Sequence, residues 1–338
     1  MTPTGDRTAS TAATGPVLSG LHHVTAITAN AQANIDFYCG VLGLRLVKLT
    51  VNFDDPGSFH LYYGDELGRP GTVLTFFEWP DSPRGRIGPP QVTATAFAVP
   101  AASLDYWSLR LQERKVDVGP LTERLGERVL QFTDPDGLAV ELVGVAREVG
   151  IPWPAGPVPG EHALRGFHSV TLSEEGYELT AEALTGLMGF IAGGQEGSRF
   201  RYRAGGNGGD SGFASTVDVV CAPDARHGLS GGGVVHHVAF RTPDPANQAQ
   251  WRERIVKAFL NVSPVIDRTY FRSIYYREPG GVLFEIATEG PGFEVDESAA
   301  ALGSGLMLPA EYEFMRPEIE ARWRRLRLPQ ASGQGAGG

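Results

Sequence analysis

The chain has 338 residues, 42% of them hydrophobic and 20% charged, the balance of a globular protein long enough for two domains with their own cores. A formal net charge of -10 argues against a nucleic-acid or anionic-membrane surface, since both need clustered Lys and Arg, and leaves a small molecule as the expected partner. Two cysteines, Cys39 and Cys221, and no apolar run long enough to cross a bilayer point to a reducing compartment, with the cytoplasm as the default.

Residues 1–17 lack the basic start and apolar centre of a signal peptide and read as a disordered leader. The first structured unit then runs to about Pro80. Leu21 to Ile27 reads as a strand, Ala33 to Leu42 as a helix stopped by Gly43, and Arg45 to Val51, Ser58 to Tyr63 and Thr72 to Trp79 as three more strands. The second unit has a strand at Val92 to Val99, a helix at Ser103 to Glu113 and a strand at Leu138 to Val143, entered by the turn Thr133 to Gly137. A Pro-rich linker follows at Ile151 to Pro159. The third unit opens at Gly166 to Leu172, with a helix near Glu178 to Met188, a Gly-rich loop at Gly193 to Gly212 and a strand near Ser215 to Val220. The fourth has a strand at Val234 to Phe240, an amphipathic helix at Asn247 to Leu260, a hairpin-like stretch at Thr269 to Arg277 and a strand at Gly281 to Ala287. Arg316 to Arg327 reads as a charged helix before a Gly/Ala tail.

Aligning the first strands brings His23, Ala94, His168 and His237 into register at intervals of roughly 70 residues, so the chain reads as four diverged βαβββ modules. The expected fold is α+β, four modules forming two cupped mixed β-sheets flanked by helices. The expected divisions are a leader at 1–17, an N-terminal domain at 18–150 (two modules), a linker at 151–164, a C-terminal domain at 165–300 (two modules), and a terminal helix and tail at 301–338.

A glutamate between Phe284 and Ile286 loses its hydration in an apolar strand and needs a partner. With a neutral histidine in the first strand of the same module, a metal ion is the expected one. Two imidazoles and one carboxylate leave about three coordination positions open, the arrangement of non-haem Fe(II) oxygenases, in which an aromatic hydroxyl and O2 can meet. The residues alone allow two triads: His168, His237 and Glu285 if modules 3 and 4 pair, or His23, His237 and Glu285 if modules 1 and 4 do. The four-module arrangement, the pairs His22-His23 and His236-His237, and Phe284-Glu285-Ile286 resemble the vicinal oxygen chelate superfamily of glyoxalases, bleomycin-resistance proteins and extradiol dioxygenases. Within it they look most like the hydroquinone ring-cleaving dioxygenases.

That resemblance implies pairing of modules 1 and 4 and therefore a metal site of His23, His237 and Glu285 holding Fe(II), with Mn(II) as the alternative. The implied partners are a small aromatic substrate and O2, with no nucleic acid and no membrane; a homo-oligomer is compatible with the sequence. Arg268 and Tyr275 match substrate-contacting positions of those enzymes, Arg268 stabilising a developing anion and Tyr275 exchanging a proton with a ring oxygen. Thr25 shares the face of His23 and can hydrogen-bond a phenol, whereas strand alternation turns His22 and His236 away unless a bulge brings them inward. A glyoxalase-type isomerase uses an extra carboxylate; the matching first-module position reads as Phe76, which favours the oxygenase. A metal-dependent isomerase or thiol transferase and a non-catalytic aromatic-binding protein are the alternatives. Glu141 and His168 read as remnants of a second site that lacks a clear third ligand unless Asp218 supplies it.

Overall fold

The computed structural model describes residues 15–16, 18–146, 150–205, 214–323 and 325–328. Module 1 comprises β1 (Leu21–Thr28), α1 (Ala31–Ile35) running into a π-helical turn (Asp36–Val41), β2 (Arg45–Asn52), β3 (Asp55–Gly64) and β4 (Val73–Glu78). Module 2 comprises β5 (Gln91–Pro100), α2 (Leu104–Glu113), β6 (Thr122–Arg124), β7 (Glu127–Thr133) and β8 (Ala139–Val145). Module 3 repeats the order with β9 (Phe167–Glu174), α3 (Glu178–Glu182) and its own π-helical turn (Ala183–Leu187), β10 (Phe190–Glu196), β11 (Arg199–Ala204) and β12 (Thr216–Cys221). Module 4 comprises β13 (Val235–Thr242), α4 (Pro245–Lys257), β14 (Ile266–Asp267), β15 (Arg272–Arg277) and β16 (Leu283–Thr288), and α5 (Arg316–Trp323) lies near the C-terminus.

Local chemistry sets the ends of these elements. Asp244 caps α4 by accepting from the Asn247 N–H, Pro245 occupies the first turn, and Gln248, Trp251 and Ile255 form its buried stripe. The helical run of module 1 stops at Gly43, whose φ of +74° a side chain would resist. All eight residues of β1 are buried, because one face packs under helices and the other lines a cup.

The strands form two curled mixed sheets of eight, ordered β14-β15-β16-β13-β1-β4-β3-β2 and β10-β11-β12-β9-β5-β8-β7-β6. At the centre of the first, β1 runs antiparallel to β13, while β4 and β16 pair with them in parallel. Modules 1 and 4 therefore share one sheet and modules 2 and 3 the other. The segment 151–164 divides the chain in order, but each sheet takes a module from either side of it. One apolar core, including Phe76, Trp107, Phe167, Phe240 and Trp251, runs through both halves.

Two expectations change. Gly193 to Ala204 is not loop: it belongs to the β10–β11 hairpin, because pairing of Phe200 and Tyr202 with β12 outweighs the weak strand preference of glycine. The terminal helix ends at Trp323 rather than Arg327. Residues 1–14, 17, 206–213 and 329–338, covering most of the leader, the rest of the Gly-rich segment and the tail, lie outside the described residues. Among the described residues no helix is long and apolar enough to cross a membrane.

Candidate metal centre

The centre is built on three adjacent strands of the first sheet. His23 comes from β1, His237 from β13 and Glu285 from β16, and all three are buried. Among the described residues they form the group of His, Cys, Asp and Glu side chains whose ligand atoms converge closely enough to hold a metal ion. His23 Nε2 and His237 Nε2 are 3.3 Å apart, and Glu285 Oε2 lies 3.2 and 3.0 Å from them. Ligand atoms about 2.1 Å from a metal, at right-angle to tetrahedral spacing, lie roughly 3.0–3.4 Å apart, so the separations fit a first-row divalent ion.

Hydrogen bonding fixes which atoms face the centre. His22 Nε2 is 3.1 Å from the Thr288 carbonyl, which can only accept, so that nitrogen carries the proton. Burial, helped by His23, pushes the His22 pKa down to about 3, so the ring is neutral and its Nδ1 is an acceptor. His23 Nδ1, 2.9 Å away, must then donate, which leaves the His23 Nε2 lone pair aimed at the centre. The arrangement recurs between His236 Nδ1 and His237 Nδ1 at 2.8 Å, and burial likewise lowers the His236 pKa to about 3. Ser273 donates to Glu285 Oε1 at 2.5 Å, whereas Oε2 is buried without an aligned hydrogen bond despite its short contacts to both imidazoles. Burial alone would raise the Glu285 pKa; the adjoining His23 and His237 hold it well below the usual carboxylate range. Burial keeps His237 neutral against the pull of Glu285. The His23 lone pair and the Glu285 carboxylate converge with His237 Nε2, and a cation between the three would stabilise them.

The centre forms the floor of a cavity of about 390 Å³ lined by aromatic side chains that include Phe77, Trp79, Phe271 and Tyr275. Thr25, His236, Arg268 and Tyr275 line it as well. Arg268 clamps Asp54 at 3.2 and 2.9 Å, and its Nε donates to the Tyr275 oxygen at 3.2 Å, while the Ser273 side chain also lies within hydrogen-bonding reach of that phenol. Burial and the nearby Glu285 raise the Tyr275 pKa, which favours the neutral phenol.

The remaining candidates fall at different places around the cup. His22 does not line the cavity; its ring packs on Phe271 at 4.9 Å and its contact with the site runs through His23, across a bulge in the β1–β13 register. His236 does line the cavity, as Thr25 does. Phe76 faces the helices, with its ring 4.8 Å from that of Tyr38, so the cup-facing residues of β4 are Thr75 and Phe77, which are not carboxylates either. In the second sheet the carboxylates are taken by arginines: Glu141 by Arg124, and Asp218 by Arg199 and Arg201. His168 pairs with Glu127 at 3.0 Å and so is remote from the His237–Glu285 centre. The sequence reading missed His60, Tyr62, Thr75, Asp54 and Ser273. The alternating His60 and Tyr62 within an otherwise apolar strand were the available signal.

A profile of the Glyoxalase/Bleomycin resistance protein/Dioxygenase superfamily matches residues 20–142 and 161–286. MhqO of Bacillus subtilis (strain 168), provisionally named a ring-cleaving dioxygenase, is 44% identical over 301 residues, 89% of this chain and 94% of its own length. The chlorohydroquinone/hydroquinone 1,2-dioxygenase of Sphingobium indicum is 37% identical over 309 residues, 89% of this chain and 95% of its own. A crystal structure from Bacillus subtilis subsp. subtilis str. 168, provisionally described as a dioxygenase, superposes with a TM-score of 0.88 at 42% identity, covering 94% of this chain and 100% of the other.

Proposed function

The chain belongs to the Glyoxalase/Bleomycin resistance protein/Dioxygenase superfamily, and from that premise we propose that it is a metal-dependent ring-cleaving dioxygenase that opens a hydroquinone-like or catechol-like ring with O2 in the extradiol manner. The observation that carries the reading is the convergence of His23, His237 and Glu285 on the floor of an aromatic-walled cup. Relatives named for ring cleavage and for hydroquinone oxygenation support it.

His23, His237 and Glu285 are the residues that would hold Fe(II), with Mn(II) as the alternative. When bound, such an ion supplies Lewis acidity toward a phenol and a redox centre for O2. Tyr275 donates its O–H to a ring oxygen of the substrate, and Arg268 fixes Tyr275 in that role while offsetting negative charge that develops on the ring. His236 and Thr25 present polar groups beside His237, and Phe77, Trp79 and Phe271 exclude water and pack on the ring. The absence of a carboxylate on the cup face of β4 favours this reading over a glyoxalase-type isomerase.

The test is anaerobic loading with Fe(II) followed by O2 uptake with a panel of hydroquinones and catechols. Stoichiometric O2 consumption is expected, with loss of bound metal in His237→Ala and Glu285→Ala. Full metal content in both variants, or turnover without O2, would refute the assignment.

A further inference from the structure

The wall of the cup formed by β4 and β3 carries a continuous hydrogen-bond chain that the metal centre does not use. Thr25 Oγ1 is 2.9 Å from Thr75 Oγ1, Thr75 Oγ1 is 2.9 Å from His60 Nε2, and His60 Nδ1 is 2.9 Å from the Tyr62 hydroxyl. All four side chains are buried, and Thr25, His60 and Tyr62 line the cavity. A wall serving only to pack an aromatic ring would be apolar, since each buried polar group must recover its lost hydration.

Proton counting shows what the chain offers. Three hydroxyls and one neutral imidazole carry four hydrogens, and three internal hydrogen bonds use three of them. One hydrogen is therefore left at one end of the chain and a free lone pair at the other. If Tyr62 donates to His60 and the polarity runs on through Thr75 to Thr25, the Tyr62 oxygen accepts from the cavity. If every bond reverses, Tyr62 donates to it. Tyr62 can meet a hydroxyl in either sense, and His60 holds it in place.

Position selects the ligand. β3 lies two strands from β1, roughly 9.5 Å across the sheet, with β4 between them. A ring anchored by one hydroxyl over His23, His237 and Glu285 would keep an ortho hydroxyl beside the first, at the metal. A para hydroxyl stands a ring's width from the first, a reach comparable to the spacing from β1 to β3. Arg268 is already committed to Asp54 and Tyr275.

We propose that Tyr62, positioned by His60, is the specificity-determining contact that binds the second hydroxyl of a para-dihydric phenol; this rests on the ring-cleaving reading above. The assay is anaerobic calorimetric titration of the metal-loaded protein with hydroquinone, phenol and catechol, with metal content checked in each variant. The parent binds hydroquinone about tenfold more tightly than phenol, the scale of one well-made hydrogen bond. Tyr62→Phe brings that ratio near one while leaving phenol affinity unchanged. His60→Phe lowers the ratio, and His60→Gln, whose amide can still bridge Tyr62 and Thr75, restores most of it. Equal weakening of hydroquinone and phenol by Tyr62→Phe would show a packing role and overturn the inference. O2 uptake with catechols, together with hydroquinone bound no better than phenol, overturns the inference but leaves the dioxygenase standing. Metal-loaded protein that binds none of the three overturns both.

Discussion

Replacing His22 by Phe tests whether the histidine pairs set the ligand tautomer. The Phe ring preserves the contact with Phe271 but removes the acceptor that His23 Nδ1–H meets at 2.9 Å. A buried N–H left unpaired costs about 1–3 kcal/mol. In the metal-free protein His23 can escape this by moving its proton to Nε2; a metal-bound His23 cannot, because Nε2 is then a ligand. The penalty therefore falls on binding, and a loss of about 1.4–2.8 kcal/mol weakens metal affinity roughly 10- to 100-fold, the scale seen for residues that orient metal ligands. Mn(II) titration followed by electron paramagnetic resonance reads the affinity. The rise in melting temperature on adding metal should shrink in the same variant, while the metal-free melting temperature changes little. His22→Gln should recover part of the loss by supplying an amide oxygen. His236→Phe should cost less, because His236 is only partly buried and water can take its place. A metal Kd for His22→Phe within twofold of the parent would refute the tautomer argument.

Further outcomes separate the remaining roles. His23→Ala should abolish stoichiometric metal binding while His168→Ala leaves it nearly intact, since His168 pairs with Glu127 in the other sheet; metal analysis showing the reverse would move the centre to modules 3 and 4. Tyr275→Phe should keep fold and metal, because Arg268 retains Asp54, yet lower turnover of a hydroquinone roughly 10²-fold or more; a rate within a few-fold at equal metal content would assign Tyr275 to packing. Away from the cup, Glu174 is 1% exposed, and burial, with Glu278 and Glu175 adding repulsion, pushes its pKa up to about 8. A carboxyl raised in the folded chain contributes stability that is fully present below its ordinary value of about 4.5 and lost as pH rises through 8. The melting temperature should therefore fall across that window, and Glu174→Gln should flatten the fall; an unchanged slope would count against the raised pKa.

The repeated strand and helix patterns, the register that aligns His23 with His237, and the apolar flanks of Glu285 are local properties. Alternation and turn chemistry write them directly into the sequence. Those signals suffice for four modules and for three ligand candidates, but they leave His168 as an equal claimant in register. Only the tertiary structure decides between them. The antiparallel pairing of β1 with β13 joins segments more than 200 residues apart, and that choice is made by burial of whole sheet faces rather than by any local preference. The same holds for facing. A one-residue shift in reading β4 exchanges Phe76 for Thr75, and a bulge beside His23 changes what His22 meets, because side chains alternate with a period of two and sequence alone does not fix the phase. His60 and Tyr62 escaped notice for a related reason. Their neighbours Thr75 and Thr25 come from β4 and β1, and the hydrogen-bond chain they form exists only once three strands lie side by side.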